Sequence, residues 1–297
     1  MTSFFAFLTE KEVEYKRDAS LLEYTTMRVG ATADAIVYPH NVEKLISVVR
    51  YLKEKQIKYK IVGRMSNILP PDTHYFGIII STLKLDHYRI DGDSVHLECG
   101  VMLSGAILRL AKDSLGGLES LFGIPGTVGG AVYSNAGAFG LEISDVIRSA
   151  FIYDVDNDEI REILFDEMKL SYRKSVFSQK NYILLSATFT LSLSDQSAIL
   201  EKIKQIKNER NMRQPTEYPS LGSIFKRYGD VSAAFYIDKV GLRSFSIGGA
   251  EVSDKHAGFI INKGNATAGN IKELISYIKG RVYDVYSIRL EEEIEYL

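Results

Sequence analysis

GIPGTVGGAVYSNAGAFG, residues 123–140, is the stretch on which the reading of this chain turns. Six of the chain's 23 glycines lie in it: Gly123, Gly126, Gly129, Gly130, Gly137 and Gly140. Glycine gives up more backbone freedom on folding than any other residue, so such density in an ordered segment needs a cause. Turns that require a positive φ are one cause; a backbone that something flat must approach closely is another. Pro125 fixes one φ and Gly126 follows it, which is a turn signature. Thr127 to Val132 are small or β-branched, and Asn135 sits in a second run of small residues. Two readings stand side by side: a tight pair of turns around a buried strand, or an anion cradle built from bare N–H groups.

Composition narrows the classes. With 297 residues, 45% hydrophobic and 25% charged, the chain has room for two domains and an ordinary globular core. A net charge of −2 provides no field to recruit nucleic acid or an acidic membrane. The lone Cys99 excludes an internal disulfide and any multi-cysteine metal site, and no metal is expected. No apolar run approaches a membrane span, and the opening MTSFFAFLTEKEVEY lacks a basic region before its short apolar patch. These features lead us to expect a soluble, cytoplasmic protein with no nucleic-acid or membrane partner; a monomer is the expected state, though composition does not set it. Eighteen tyrosines against no tryptophan is unusual, and no mechanism requires it.

Outward from the glycine-rich stretch, residues 41–55 show helical periodicity, with Val42, Leu45, Ile46, Val49 and Leu52 on one face and Asn41 as N-cap. IKYKIVG (57–63) and GIIIST (77–82) read as strands, an α/β opening. Residues 87–100 form a hairpin turning at Asp91–Asp93, 104–115 an amphipathic helix, and 146–163 a second hairpin. Residues 181–195 read as a strand. Near 195 the pattern changes to a charged amphipathic helix that stops before Pro215, and the domain boundary is placed just before it. Residues 269–286 are a helix and 287–297 a terminal strand, whose alternation puts Glu291 and Glu293 on one face and Glu292 on the other.

GLES (117–120), GIPGTVGGA and NAGAFG together resemble the flavin-binding signature of the UDP-N-acetylenolpyruvoylglucosamine reductase family, FAD proteins of the vanillyl-alcohol-oxidase type. Further segments follow in family order. YTTMRVGATADA (24–35) is similar to the N-terminal signature, with Arg28 and Gly30 matching and Ala31 at a usual glycine. GRMSNILPPD (63–72) stands where the family has a Gly-x-Gly-Ser-Asn turn that binds the FAD pyrophosphate. Gly63, Ser66, Asn67 and Asp72 are kept, but Met65 replaces the second glycine. A positive φ there would cost methionine of order 1 kcal/mol, and Arg64 can pair with the pyrophosphate. YRKSVF (172–177) resembles the motif whose arginine faces substrate. TEYPSLGSIFKRYG (216–229) aligns Ser223 with a proton-donating serine, and Lys226-Arg227-Tyr228 departs from the usual Lys-Asn-Pro. KHAGFIIN (255–262) and Leu290 to Ile294 complete the C-terminal signature. Glu293 best fits the active carboxylate, with Glu291 as fallback. His256 reads as structural, having no carboxylate partner or second histidine at ligand spacing.

The resemblance implies a mixed α/β and α+β fold. A two-part FAD-binding domain covers 1–194 (about 1–82 and 83–194), and an α+β substrate domain covers 195–297. It implies FAD and NADPH as cofactors and a UDP-sugar as substrate. Gly63, Arg64, Met65, Ser66, Asn67, Gly123, Pro125, Gly126, Thr127, Gly129, Gly130, Asn135 and Gly137 would hold FAD. Tyr172, Lys226 and Arg227 would bind substrate, and Arg173, Ser223 and Glu293 would be catalytic. The short spacing between Phe177 and Gly222 is similar to the family form without an inserted lid. Two rivals are another FAD oxidoreductase of the same fold group and a nucleotide-sugar-binding paralogue that has lost catalysis. The first is disfavoured because Cys99 and the five histidines lie outside the motifs that would attach flavin. The second is disfavoured by retention of Arg173, Ser223 and Glu293 together. A P-loop or Rossmann enzyme is excluded by the lack of either glycine fingerprint.

Overall fold

The computed structural model describes residues 1–297, which form two compact units. The first comprises Met1–Arg17, Ala35–Arg64 and Gly77–Asn208; the second comprises Asp18–Asp34, Met65–Phe76 and Glu209–Leu297. Each has its own apolar core.

In the first unit, Asn41 Oδ1 accepts from the Lys44 amide at 2.8 Å and starts the helix Val42–Glu54. Its buried face is Leu45, Ile46, Val49 and Leu52 with Val48, as a 3.6-residue period requires. These residues share a core with Ile78 and Ile80 of the strand Tyr75–Ser81. That strand pairs in parallel with Tyr59–Val62, Tyr59 opposite Ile78 and Val62 opposite Ser81. Its run Ile78–Ile80 is fully buried, as suits a strand covered on both faces there, whereas Phe76 is 77% exposed. A five-stranded antiparallel sheet follows, in the order Glu159–Leu164, Ile147–Asp154, Tyr182–Thr190, Ser94–Glu98, Tyr88–Asp91. The helix Leu103–Lys112 buries Leu103, Ala106, Ile107, Leu110 and Ala111 in the same core.

The second unit holds an antiparallel sheet in the order Ser220–Ser223, Phe259–Asn262, Ala250–Val252, Ser246–Ile247. Beside it in the core lies the helix Ala268–Tyr286, which turns Ile271, Leu274, Ile275, Ile278 and Val282 inward. Met27, Val29 and Leu69 join this core from distant parts of the chain.

Three expectations differ from the structure. The glycine-rich stretch contains no buried strand: Val128–Tyr133 is a short helix, because Thr127 Oγ1 accepts from the Gly130 amide and caps it. The C-terminus is not a strand over 287–297. Only Glu295–Tyr296 is extended in a ladder, parallel to Ile68–Leu69, while Glu292 makes an isolated bridge to Phe225. The contact division also departs from a single cut before residue 195. The helix Gln196–Arg213 runs through the 208/209 division, and residues 18–34 and 65–76 belong to the second unit. Their anchors are non-local: Asn262 Nδ2 donates to the carbonyls of Met27 (3.1 Å) and Arg28 (3.3 Å). The Asp72 carboxylate accepts from the Ala268 and Gly269 amides, both at 2.7 Å. A carboxylate at that helix N-terminus meets the positive end of the helix dipole.

Candidate active site

The glycine-rich segment is tied down by its own backbone. Leu103 N donates to Gly126 O (3.0 Å), Val128 N to Val101 O (2.8 Å) and Gly129 N to Cys99 O (2.8 Å). Gly123, at φ +85°, donates to Ser104 Oγ at 2.9 Å. The amides of Gly123, Gly126, Gly129 and Gly130 are therefore engaged by protein acceptors, which corrects the picture of a cradle of bare N–H groups. Gly63, Gly129 and Gly137 answer a demand for closeness instead, while Gly123 and Gly140 answer one for positive φ, at +85° and +80°. A Cβ on Gly63 would lie 2.4 Å from Thr127 Oγ1, one on Gly129 2.8 Å from Cys99 O, and one on Gly137 2.8 Å from Glu142 Cγ. Gly63 is thus packed directly against Thr127, and the loop beginning at Gly63 meets the glycine-rich segment there. Pro125 and Gly130 are exposed on this segment, and a Cβ at Gly130 would approach only Thr127 Oγ1, at 3.8 Å. Cys99 is buried, and burial pushes its thiol up to about 12, so it stays a protonated packing residue.

Asn135 organises the far end. It is fully buried at φ +43°, its Nδ2 donates to Glu142 Oε2 (2.9 Å) and Ser171 O (3.2 Å), and its Oδ1 accepts from Ser144 N (2.9 Å). Its side chain is a structural clamp. Tyr172 and Arg173 are the central pair of a turn closed by Ser171 and Lys174, which exchange two hydrogen bonds of 3.0 Å. Arg173 adopts φ +54° there. Its guanidinium lies 5.0 Å from the Tyr172 ring and donates to Asn135 O and Gly137 O, both at 3.3 Å. Ser175, fully buried, donates to Tyr133 O at 2.6 Å and pins the motif to the end of the short helix. YRKS and NAG, 36 residues apart in the chain, are therefore one structure.

The second unit assembles the remaining residues. Gly222 has φ +76°, and the register against Phe259–Asn262 shifts between Ser220 and Ser223. A bulge of this kind re-aims the next side chain, here Ser223. Glu293 N donates to Ile224 O (2.8 Å) and Lys226 N to Glu291 O (2.9 Å), so the C-terminal segment runs beside Ser223. Lys226 Nζ lies 3.6 Å from Glu291 Oε2, whose side chain is 76% exposed. Glu292, by contrast, meets Lys279 at 2.8 Å and the Tyr296 hydroxyl. Partial burial pushes its carboxyl up, but those two partners outweigh burial and hold it below the usual range. Arg227 and Tyr228 are exposed. His256 Nδ1 accepts from Gly258 N at 3.1 Å, and burial lowers its pKa, which suits the structural role read from sequence.

The loop 63–67 joins these themes. Met65 adopts φ +52°, the left-handed conformation that glycine takes without strain, yet its side chain is 3% exposed. Thr25 Oγ1 donates to Met65 O (3.3 Å) and lies 3.5 Å from Ile68 O. Asn67 Nδ2 donates to Glu293 O at 3.0 Å, and Glu295 N donates to Asn67 O at 2.9 Å. Arg64, Ser66 and Asn67 are half-buried around this turn. A guanidinium, a hydroxyl and a left-handed backbone are the residue chemistry that suits a dinucleotide pyrophosphate.

Comparison with known proteins bears directly on this geometry. Residues 33–163 match the model of an FAD binding domain, and residues 214–297 match that of the C-terminal domain of UDP-N-acetylenolpyruvoylglucosamine reductase. A reductase of that name from Caldicellulosiruptor bescii is 41% identical over 98% of this chain and 93% of its own length. The chain belongs to the UDP-N-acetylenolpyruvoylglucosamine reductase family. A second relative, from Clostridium novyi, is 41% identical over 97% of this chain and 93% of its own. The crystal structure of the reductase from Thermus caldophilus aligns with a TM-score of 0.80 at 28% identity, covering 96% of this chain and 98% of that one. A berberine bridge enzyme variant shares the flavoprotein fold alone, with a TM-score of 0.52 at 15% identity over 65% of this chain and 44% of its own.

Within this reductase family scaffold, sequence reasoning missed Thr25, Asn262 and Glu142 as the residues that hold the loops in place. Thr25 and Asn262 lie inside quoted motifs, yet their partners are 40 and 235 residues away. Only a long-range contact reveals them.

Proposed function

We infer that this chain catalyses the NADPH-dependent, FAD-mediated reduction of UDP-N-acetylglucosamine enolpyruvate to UDP-N-acetylmuramate, a step in making peptidoglycan precursors. Kinship across 98% of the chain carries the reading. The net reaction turns the vinyl C=C into a single bond, adding hydride at the β-carbon and a proton at the α-carbon while NADPH becomes NADP⁺. Bound FAD would supply the relay of that hydride from NADPH to the substrate.

The chain's own residues provide charge and placement. Arg173 is permanently cationic and binds the enolpyruvyl carboxylate, on which negative charge grows as hydride adds; the attraction strengthens toward the transition state. Its turn, fixed by Asn135 and Gly137 carbonyls, supports that role by limiting the motion of the guanidinium. Ser223 gives its hydroxyl proton to the α-carbon; a hydroxyl is a weak acid, but a carbanion is a strong base. Glu293, whose backbone N–H is hydrogen-bonded to the residue after Ser223, supplies a carboxyl group to the same step. Lys226 and Arg227 attract the diphosphate, and Tyr172 stacks under Arg173. We further propose that the first unit is chiefly the FAD-binding part and the second chiefly the substrate-binding part. The proposal extends to a monomer working in the cytoplasm; no helix is long and apolar enough to cross a membrane.

The test is the visible spectrum of the purified protein with FAD, then NADPH, then the enolpyruvyl substrate. Flavin bands at about 370 and 450 nm, bleached by NADPH and restored by substrate, are expected. A protein that stays colourless in excess FAD would refute the reading and favour the binding-only paralogue.

A further inference from the structure

We propose that Asn67, placed by sequence among the cofactor-binding residues, is a positioning residue for Glu293. The inference rests on the reductase reading, and it assigns the side chain of this loop residue a task in the second half-reaction. Its side-chain amide donates to the Glu293 carbonyl at 3.0 Å, and its own carbonyl accepts from the Glu295 amide at 2.9 Å. Asn67 therefore holds the backbone on both sides of Ile294, which is itself buried. The neighbouring pairs Ile68–Glu295 and Leu69–Tyr296 continue the attachment as a short parallel ladder.

From the other side, Glu293 N donates to Ile224 O at 2.8 Å, one residue beyond Ser223. Glu293 thus has its N–H fixed by the Ser223 segment and its carbonyl fixed by Asn67. Both backbone polar groups of the acid are held, while its side chain extends from a backbone with little room to rotate. Three consecutive glutamates, 291–293, make this necessary. A slip of one residue would replace Glu293 with Glu292, whose side chain is already bound to Lys279 and Tyr296. Asn67 sets which glutamate stands beside Ser223. The cofactor loop and the acid are consequently one mechanical piece, clamped at its other end by Thr25 on the Met65 and Ile68 carbonyls.

The test uses full-length Asn67→Ala, with Asn67→Ser as a second variant that stays polar but loses the reach of the amide. In hydrogen exchange of the flavin-free protein, the peptide covering 291–297 should exchange at least ten-fold faster in either variant than in wild type. In stopped flow on FAD-loaded protein, re-oxidation by the enolpyruvyl substrate should fall ten-fold or more, the scale expected when a reacting group is misplaced by a fraction of an ångström to an ångström. Flavin reduction by NADPH should fall less than three-fold. In a Glu293→Gln background, Asn67→Ala should slow re-oxidation by less than two-fold further, because the two substitutions remove the same contribution. Unchanged exchange of the 291–297 peptide would overturn the proposal. So would a loss of FAD affinity with normal re-oxidation once loaded, which would make Asn67 a cofactor ligand. Additive losses with Glu293→Gln would do the same. The exchange measurement needs neither flavin nor substrate, so it separates failure of this inference from failure of the reductase reading, which would show in wild type.

Discussion

Replacing Met65 separates two opposed forces in the loop 63–67. At φ +52° a methionine carries about 1–2 kcal/mol of left-handed strain that glycine would not. At 3% exposure its side chain also fills space, and truncating a buried methionine costs about 2–5 kcal/mol. Met65→Ala keeps the strain and loses the packing, a net loss of about 3 kcal/mol. Met65→Gly loses the same packing and sheds the strain, but adds about 0.5–1 kcal/mol of backbone entropy, so it should lose about 0.5–1 kcal/mol less than alanine. Both variants fall below wild type, and alanine falls furthest. Urea unfolding of the flavin-free protein, followed by far-ultraviolet circular dichroism because the chain has no tryptophan, reads the order directly. With a slope of about 3 kcal/mol per molar urea, the alanine midpoint should drop by about 1 M. A Met65→Gly protein more stable than wild type would show that strain, not burial, dominates. A glycine variant less stable than alanine by about 0.5–1 kcal/mol, the entropy term alone, would show that the left-handed φ carries no cost.

The remaining predictions concern the chemistry and its pH dependence. Ser223→Ala should leave NADPH-driven flavin reduction intact and slow re-oxidation by the enolpyruvyl substrate at least a hundred-fold, about 2.7 kcal/mol of barrier; equal loss in both half-reactions, read by stopped flow, would remove the proton-donor role. Arg173→Lys should lower kcat about a hundred-fold, since an ammonium cannot make the planar two-pronged contact with a carboxylate; near-normal kcat would sink that assignment. Burial pushes the Glu292 carboxyl up, yet Lys279 and Tyr296 together hold it below the usual carboxylate range. Its contribution to stability is therefore complete above the unfolded value of about 4.3 and is lost as pH falls through the lower folded value. Lys279→Met should flatten this acid limb in urea midpoints measured across pH, and an unaltered limb would show that the pair is not its source.

Local patterns were legible before any coordinates. The helix Val42–Glu54 follows from its apolar period and from Asn41, because capping and amphipathicity act within a few residues. The strand Tyr75–Ser81 and the hairpin Tyr88–Glu98 follow for the same reason. The condition attached to Met65 was also local, and the left-handed φ is there. Where sequence reading failed, a short-range rule met a long-range partner. Small and β-branched residues at 127–132 suggested a strand until a threonine cap made them a helix.

The sequence by itself determined the family, the order of its motifs and the residue types available for hydride and proton chemistry, because those are carried by identity and spacing along the chain. Tertiary structure alone decided what the residues touch. It made Gly63, Gly129 and Gly137 close-packing positions, made Asn135 and Asp72 clamps, and tied Asn67 to Glu293 across 226 residues. It also distinguished three adjacent glutamates, one exposed toward Lys226, one paired with Lys279, and one whose backbone is pinned beside Ser223. Alternation along a strand could not separate them, since their environments come from segments that only folding brings together.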